Sequence, residues 1–262
     1  MISNNNPIGF FDSGVGGTSI LKEVITLLPF ENTIYLSDSK NAPYGQKSKD
    51  EIIALCIKNT EFLLAKKCKI IVVACNTATT NAIGFLREKY AIPFIGIEPA
   101  IKPAALVTKT KIIGILATKG TLNSSLFEKT SNSISKDITI KETIGKGLVE
   151  LIEAGKLNSE EINQLLLQYL NPMIESDIDS LVLGCTHYPY LIPQIRKIVG
   201  SKIKIIDSGE AVARQTKAIL EKNGLIKKDS KNGSHIIYIN KDKTALKNLI
   251  TNKSINVIEK DF

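Results

Sequence analysis

Two cysteines stand where apolar, strand-like segments end, which is where parallel sheets place the residues that contact ligands. Cys75 ends the segment IIVVAC and is followed by Asn-Thr, and Cys185 ends the segment LVLGC and is followed by Thr-His. A thiol in that position, just before a helix, lies near backbone N–H groups and the positive end of the helix dipole, which favour a thiolate. His187, one of two histidines in the chain, lies two residues after Cys185 and can transfer protons. Together these residues predict thiol-based acid–base chemistry.

Polar side chains also follow other strand-like segments. Asp12 and Ser13 follow IGFF, and Asp38 follows TIYLS. The glycine-rich sequence DSGVGG has neither the ending of a Walker A loop nor full G-x-G-x-x-G spacing. It is interpreted either as a tight strand-to-helix turn or as a loop that closes on a small anion at a helix start. The segment NAPYGQKS predicts a turn and then a helix start, with Tyr44 and Gly45 either on the surface or around a ligand.

Continuous apolar segments alternate with helix-length segments, which is typical of βαβ units with buried parallel strands. The predicted strands lie at 8–11, 33–38, 70–74, 93–97, 111–117, 179–184 and 202–207, and the late segments HIIYIN and INVIEK add two more. We predict an α/β fold with two similar lobes, each a mostly parallel sheet flanked by helices, and an active site in the cleft between them. The predicted lobes are residues 1–97 plus 209–262, which includes the late strands, and residues 98–208.

The composition narrows the class of protein. Hydrophobic residues make up 43% of the 262 residues and charged residues 23%, which is ordinary for a globular chain. We expect a cytoplasmic protein with reduced thiols, because no segment resembles a signal peptide or a membrane span. The net charge of +8 comes from scattered lysines, so we expect neither a nucleic-acid partner nor a membrane partner. Cys56 and Cys68 are expected in the core, and no residue spacing indicates a metal site.

The motifs FDSGVGG, DSKNAPYG, VVACNTAT, GIEPA, LVLGCTHYP and IIDSGEAVA follow one another along the chain. As a set they resemble the glutamate racemases, the enzymes that make D-glutamate for bacterial peptidoglycan. The resemblance implies two lobes, no cofactor, and two cysteines that act on opposite faces of the substrate α-carbon. It implies that Cys75 acts on D-glutamate and Cys185 on L-glutamate, with Asp12 and His187 assisting the thiols.

The resemblance also implies a set of substrate-binding residues and a homodimer, and one local segment differs from the family's pattern. The implied binding residues are Asp12, Ser13, Tyr44, Gly45, Asn76, Thr77, Thr121, Glu153, Thr186 and His187. Glutamate racemases often carry a proline-containing FVPLVE segment before the glutamate, and this chain has Glu150 in the place of that proline. The leader MISNNN is short, so we expect no activation of the kind that a long N-terminal extension carries in some members.

Two alternatives stay open at this point. A neighbouring two-cysteine racemase, for aspartate or a hydantoin, would also carry the CNT and CTH motifs. A two-lobed amino-acid-binding protein without catalysis would use the same strand ends, and it would keep its affinity for the ligand after Cys75→Ser.

Overall fold

The computed structural model describes residues 3–134, 136–250, 252 and 254–262, so Met1 and Ile2 of the leader lie outside the described residues. Within this part of the chain the strands form two sheets in which every pairing is parallel. The strands, numbered in chain order, are β1 (Ile8–Asp12), β2 (Thr33–Ser37), β3 (Ile70–Val73), β4 (Phe94–Gly96), β5 (Ile112–Ala117), β6 (Thr139–Ile144), β7 (Ser180–Gly184), β8 (Lys204–Ile206), β9 (His235–Ile239) and β10 (Ile255–Glu259). The sheet orders are β10-β9-β2-β1-β3-β4 and β6-β5-β7-β8.

Helices connect the strands in the way that parallel pairing requires. They are α1 (Thr18–Leu27), α2 (Lys49–Ala65), α3 (Asn76–Lys89), α4 (Ile101–Val107), α5 (Lys119–Leu122), α6 (Ser125–Asn132), α7 (Leu148–Glu153), α8 (Glu160–Glu175), α9 (Ile192–Val199), α10 (Gly209–Lys222) and α11 (Thr244–Leu249). Single 3₁₀ turns lie at Ser39–Asn41, Tyr44–Gln46 and Tyr188–Leu191. Helix α2 begins with a capping box between Ser48 and Glu51, as the turn and helix start predicted in NAPYGQKS require.

The α/β prediction is confirmed, and so are the predicted strands, including the two late ones in the six-stranded sheet. The strand β6 was not predicted from the sequence TIKETI. It lies at the edge of the smaller sheet, and its side chains are exposed or half-buried. An edge strand of this kind lacks the continuous apolar run by which the central strands are recognised.

One apolar cluster extends through both sheets. It includes Phe10 on β1 and Leu181 on β7, both fully buried. The chain passes between the sheets near residue 98 and again near residue 208, where the Ser208 hydroxyl donates to the Glu98 carbonyl at 2.5 Å. The division into residues 1–97 plus 209–262 and residues 98–208 stays a proposal. Membership of the two sheets favours that division, whereas the shared core joins the two parts.

Two features are absent from the part of the chain that the structure describes. No helix among them is long and apolar enough to cross a membrane. No group of three or more His, Cys, Asp or Glu side chains among them could hold a metal ion.

Candidate active site

Two thiols from different sheets line one small cavity. Cys75 follows β3 and Cys185 follows β7, and their exposed fractions are 4% and 6%. Both thiols are free. The cavity has a volume of about 10 Å³ and is lined by Ser13, Pro43, Tyr44, Gly45, Cys75, Asn76, Thr77, Thr118, Val149, Cys185, Thr186 and His187. The strand ends therefore meet as expected for ligand sites of parallel sheets.

Cys75 is the N-cap residue of α3. The Ala78 N–H donates to its Sγ at 3.4 Å, and its thiol donates to the Ser13 hydroxyl at 3.8 Å. Burial and the neighbouring Asp12 carboxylate raise the pKa of Cys75 well above its ordinary value, although the helix-start N–H acts in the opposite direction. The expected stabilisation of a thiolate by the helix start is therefore present but outweighed. In the closed cavity Cys75 is a neutral thiol.

Asp12 ends β1 and is fully buried behind Cys75, outside the cavity wall. Its Oδ2 accepts from the Gly17 N–H at 2.7 Å, and its Oδ1 accepts from the Ser13 hydroxyl at 3.4 Å. Burial raises the pKa of Asp12, and the nearby positive charge of His187 offsets part of that rise. A carboxylate with a raised pKa beside a thiol is suited to receive the proton that the thiol must lose.

Cys185, His187 and Glu153 form a connected chain. His187 Nδ1 lies 3.7 Å from the Cys185 Sγ, and His187 Nε2 lies 2.6 Å from Glu153 Oε1. Glu153 also accepts from the Val15 N–H at 2.6 Å and from the Ser39 hydroxyl at 2.8 Å. Burial acts to lower the pKa of His187, but its hydrogen bonds to Cys185 and Glu153 outweigh that effect and hold the pKa well above its ordinary value. The raised pKa favours the imidazolium form of His187 beside the Cys185 sulfur.

The Glu153 carboxylate is the counterion of this imidazolium. Burial acts to raise the pKa of Glu153, but its hydrogen bonds from His187, Val15 and Ser39 leave the pKa below its ordinary value. Glu153 contacts His187 rather than the cavity, so its place is behind the histidine.

The glycine-rich segment DSGVGG holds the protein's own carboxylates. The Val15 N–H donates to Glu153 and the Gly17 N–H donates to Asp12. A Cβ on Gly14 would lie 1.9 Å from Glu153 Oε1, and a Cβ on Gly16 would lie 2.3 Å from the Nδ1 of His187. The backbone of this segment therefore forms a tight turn against the protein's own side chains. The tight turn replaces the alternative interpretation of a loop that closes on a free small anion.

Asn76 has unused hydrogen-bonding capacity at the cavity. Both its Nδ2 and its Oδ1 are buried and lack a hydrogen-bond partner, although the residue lines the cavity wall. A buried amide without partners costs free energy, so this side chain is arranged to bind something that enters the cavity. A bound carboxylate would accept from Nδ2.

Three threonine hydroxyls form a hydrogen-bonded cluster at the cavity, and two of them, on Thr77 and Thr118, belong to residues of its wall. Thr77 Oγ1 lies 2.8 Å from Thr118 Oγ1 and 3.3 Å from Thr121 Oγ1, and the latter two hydroxyls are 3.0 Å apart. Thr118 was missed in the sequence, although it follows β5 directly and is a polar strand end like the others. Thr121 contacts the lining threonines and is not itself on the wall.

Tyr44 and Gly45 form the cavity rim without offering a free hydroxyl. The Tyr44 hydroxyl donates to Asp38 Oδ2 at 2.5 Å and accepts from the Asn59 amide at 3.2 Å. A Cβ on Gly45 would lie 3.0 Å from the Thr118 Cβ, so the two walls approach closely here.

The structure brings most of the predicted site residues to one place. The lining residues among them are Ser13, Tyr44, Gly45, Cys75, Asn76, Thr77, Cys185, Thr186 and His187. Asp12, Thr121 and Glu153 lie one contact further out. Pro43 and Val149 line the cavity too, and no sequence signal pointed to these apolar residues.

An α/β fold in which two parallel sheets each bring a thiol to one buried cavity has the site expected of a two-base isomerase. The family described as Asp/Glu/Hydantoin racemase matches residues 16–216. A glutamate racemase of Herpetosiphon aurantiacus is 44% identical over 88% of this chain and 91% of its own length. Among solved structures, a glutamate racemase isoform from Bacillus anthracis is 32% identical with a TM-score of 0.88, covering 98% of each chain. A glutamate racemase from Francisella tularensis in complex with D-glutamate is 29% identical with a TM-score of 0.84, again covering 98% of each chain.

The chain belongs to the Asp/Glu/Hydantoin racemase family. The resemblance of its motifs to glutamate racemases is confirmed by these matches.

Proposed function

We propose that this protein is an amino-acid racemase that interconverts L- and D-glutamate by proton transfer between Cys75 and Cys185, without a cofactor. The observation that carries the proposal is that two free thiols from different sheets line the same buried cavity. The glutamate racemases among its relatives support glutamate as the substrate. So does the D-glutamate complex of the Francisella tularensis protein.

The reaction requires one base and one acid on opposite faces of the α-carbon. With D-glutamate, the Cys75 thiolate removes the α-proton, so the C–H bond breaks, an S–H bond forms, and the electron pair stays on carbon. The Cys185 thiol then gives its proton to the other face and becomes a thiolate. With L-glutamate the two residues exchange roles. The proton is conserved at every step.

The neighbours of each thiol supply its charge state. Asp12, whose pKa is raised by burial, receives the Cys75 proton when the thiolate forms. The His187 imidazolium places a positive charge 3.7 Å from the Cys185 sulfur and balances its thiolate. Glu153 is a positioning residue that keeps His187 charged.

The polar side chains of the cavity wall bind the substrate. Asn76, with both amide atoms unused, is assigned to a substrate carboxylate, together with Ser13, Thr77 and Thr186. Fixed donors in a cavity without bulk water stabilise the negative charge that develops when the α-proton leaves. Tyr44, Gly45 and Thr121 shape the wall around the substrate.

The proposal extends to the cellular setting. The D-glutamate product supplies peptidoglycan synthesis, the protein acts in the cytoplasm as a homodimer, and it needs no nucleic-acid or membrane partner.

The test is circular dichroism of the purified, reduced protein with D-glutamate and separately with D-aspartate, with no cofactor added. We expect the optical signal of glutamate to decay to zero. Cys75→Ser and Cys185→Ser are each expected to slow this decay by at least about 10³-fold. Cys68→Ser, at a buried thiol away from the cavity, is the control and is expected to keep the activity. Decay with aspartate alone would contradict the proposed substrate. No decay with either amino acid in folded protein would contradict the racemase.

A further inference from the structure

A second, larger cavity adjoins the one that contains the thiols. Its volume is about 410 Å³, against about 10 Å³ for the thiol cavity, which is room for roughly one water molecule. The two cavities share the wall residues Pro43, Gly45, Thr118 and Val149. Glutamate does not fit the inner cavity as it stands, so the shared wall must separate before the substrate can reach the thiols from this outer cavity.

A hydrogen bond between two long side chains spans the outer cavity. The Gln46 side-chain amide donates to Glu150 Oε1 at 2.7 Å. Gln46 belongs to the part of the chain that carries the six-stranded sheet, and Glu150 on α7 belongs to the part that carries the four-stranded sheet. The bond therefore connects the two walls that must move apart.

Each end of this bond is anchored to its own wall. Gln46 lies two residues after Tyr44, whose hydroxyl is held by Asp38. On the other wall, the Tyr188 hydroxyl donates to the Gly145 carbonyl at 3.1 Å and so holds the loop before α7. The Tyr169 hydroxyl donates to the Lys146 carbonyl of the same loop at 2.8 Å. Because both ends are anchored, the walls cannot separate far without breaking the Gln46–Glu150 bond.

We propose that Gln46 and Glu150 form a latch that controls the opening of the cleft and hence the access of substrate. The proposal rests on the proposed function in that the inner cavity is the substrate site. Both residues are exposed, so water competes for the bond and the latch can open in each turnover. Its removal should increase the population of the open state roughly twofold to tenfold, the range expected for one hydrogen bond in water.

The first readout does not depend on racemase activity. Cys75 and Cys185 are almost completely buried, so a neutral reagent such as iodoacetamide can reach them only when the cleft opens. The alkylation rate of these two thiols, measured by peptide mass spectrometry at one fixed pH without substrate, therefore reports the opening of the cleft. Cys56, fully buried in α2, reports global unfolding in the same samples.

Four variants separate the hydrogen bond from the charge. Glu150→Ala removes both, and Gln46→Glu places two carboxylates opposite each other with no donor between them. Glu150→Gln removes the charge but keeps an acceptor for the Gln46 amide. The exchange of the two residues, Gln46→Glu with Glu150→Gln, restores a donor–acceptor pair in the reverse direction. Glu175→Ala, at an exposed glutamate at the end of α8, is the matched control.

We expect Glu150→Ala and Gln46→Glu to accelerate alkylation of Cys75 and Cys185 roughly twofold to tenfold, with Cys56 unaffected. Glu150→Gln, the exchange variant and Glu175→Ala should behave like the unmodified protein. In steady-state racemisation the first two variants should lower KM by a similar factor, because the state that admits glutamate is more populated. Equal alkylation rates in all variants would overturn the proposal, and so would an exchange variant that opens as readily as Gln46→Glu alone. If the alkylation rates follow the expected pattern but the protein has no racemase activity, the proposed function is contradicted and the latch proposal is still supported.

Discussion

At the scale of single residues, the charge states in the site follow from burial and from partners. The same burial that keeps Cys75 a neutral thiol also makes Asp12 a better proton acceptor. For His187, hydrogen bonds to Cys185 and Glu153 outweigh the effect of burial on the pKa. For Glu153, the hydrogen bonds that it accepts, first of all from His187, do the same. Two thiols of one chemical type thus have different surroundings, a carboxylate beside Cys75 and an imidazolium beside Cys185.

The His187–Glu153 pair predicts a pH-dependent contribution to stability. The pKa of His187 is raised on folding, so its contribution is complete below the unfolded value of 6.5 and is lost as pH rises through the folded pKa. The pKa of Glu153 is lowered, so its contribution is complete above the unfolded value of 4.5 and is lost as pH falls through the folded pKa. We expect Glu153→Gln to lower the free energy of unfolding by about 3 kcal/mol between these two unfolded values, since one partner of a buried pair remains.

Urea unfolding of the unmodified protein and of Glu153→Gln, from acid to alkaline pH, measures the difference between their free energies of unfolding. The difference should shrink as pH rises through the raised pKa of His187. Glu88→Gln, at an exposed glutamate of α3, is the control and should change stability by less than about 0.5 kcal/mol. A Glu153→Gln effect that is the same at every pH would contradict the ion pair.

At the scale of elements, the turn between β1 and α1 is the part of the fold that the site depends on most closely. Its amides hold Glu153 and Asp12, and its glycines allow the His187 ring to lie directly against the backbone. A side chain at these positions would displace the groups that set the charge of the thiols.

Gly16→Ala should damage activity far more than stability. The new Cβ would lie 2.3 Å from His187 Nδ1, so the imidazole must leave its present position beside Cys185. We expect kcat/KM to fall on the order of 100-fold, as for a misplacement of about 1 Å in a catalytic group. Gly84→Ala is the matched substitution, because a Cβ there meets nothing within 4 Å on α3. It should keep full activity and raise the free energy of unfolding by about 0.5–1 kcal/mol. Racemisation assays and urea unfolding check both, and full activity in Gly16→Ala would refute the role of the turn.

At the scale of the whole molecule, one apolar cluster extends through both sheets, and each sheet also has a smaller cluster of its own. The cleft lies where the two sheets meet: Cys185 belongs to the cluster that joins them, and Cys75 belongs to a cluster on the six-stranded sheet. Opening of the cleft must then be a limited movement of the walls at the cavity, while the shared core keeps the two sheets together.

The shared core predicts a single unfolding transition. Leu181→Ala on β7 removes a fully buried side chain and should lower the free energy of unfolding by about 2–5 kcal/mol. Alkylation of Cys56, which is buried in α2 beside the other sheet, should then occur at a correspondingly lower urea concentration. Leu167→Ala, at a leucine that is 43% exposed, should move this midpoint little. An unchanged Cys56 midpoint in Leu181→Ala would mean that the two sheets unfold independently.

Much of the fold and of the site could be predicted because the central strands are apolar on both faces and end in polar residues. Cys75, Cys185, Asn76, Thr186 and His187 were found by that rule, and Thr118 obeys it as well. The edge strand β6 was not predicted because its exposed side chains follow no apolar pattern. Pro43 and Val149 escaped because an apolar residue on a cavity wall has the same local sequence as one in a core.

The sequence by itself determined the α/β class, the positions of the main strands, and the two thiols at strand ends, because these depend on hydrophobic patterns within a few neighbouring residues. Only the tertiary structure decided which groups meet. It placed Glu153 behind His187, used the amides of DSGVGG for the protein's own carboxylates, and set Gln46 opposite Glu150. Charge states and cleft closure depend on burial and on contacts between residues far apart in the chain, and no local pattern contains that information.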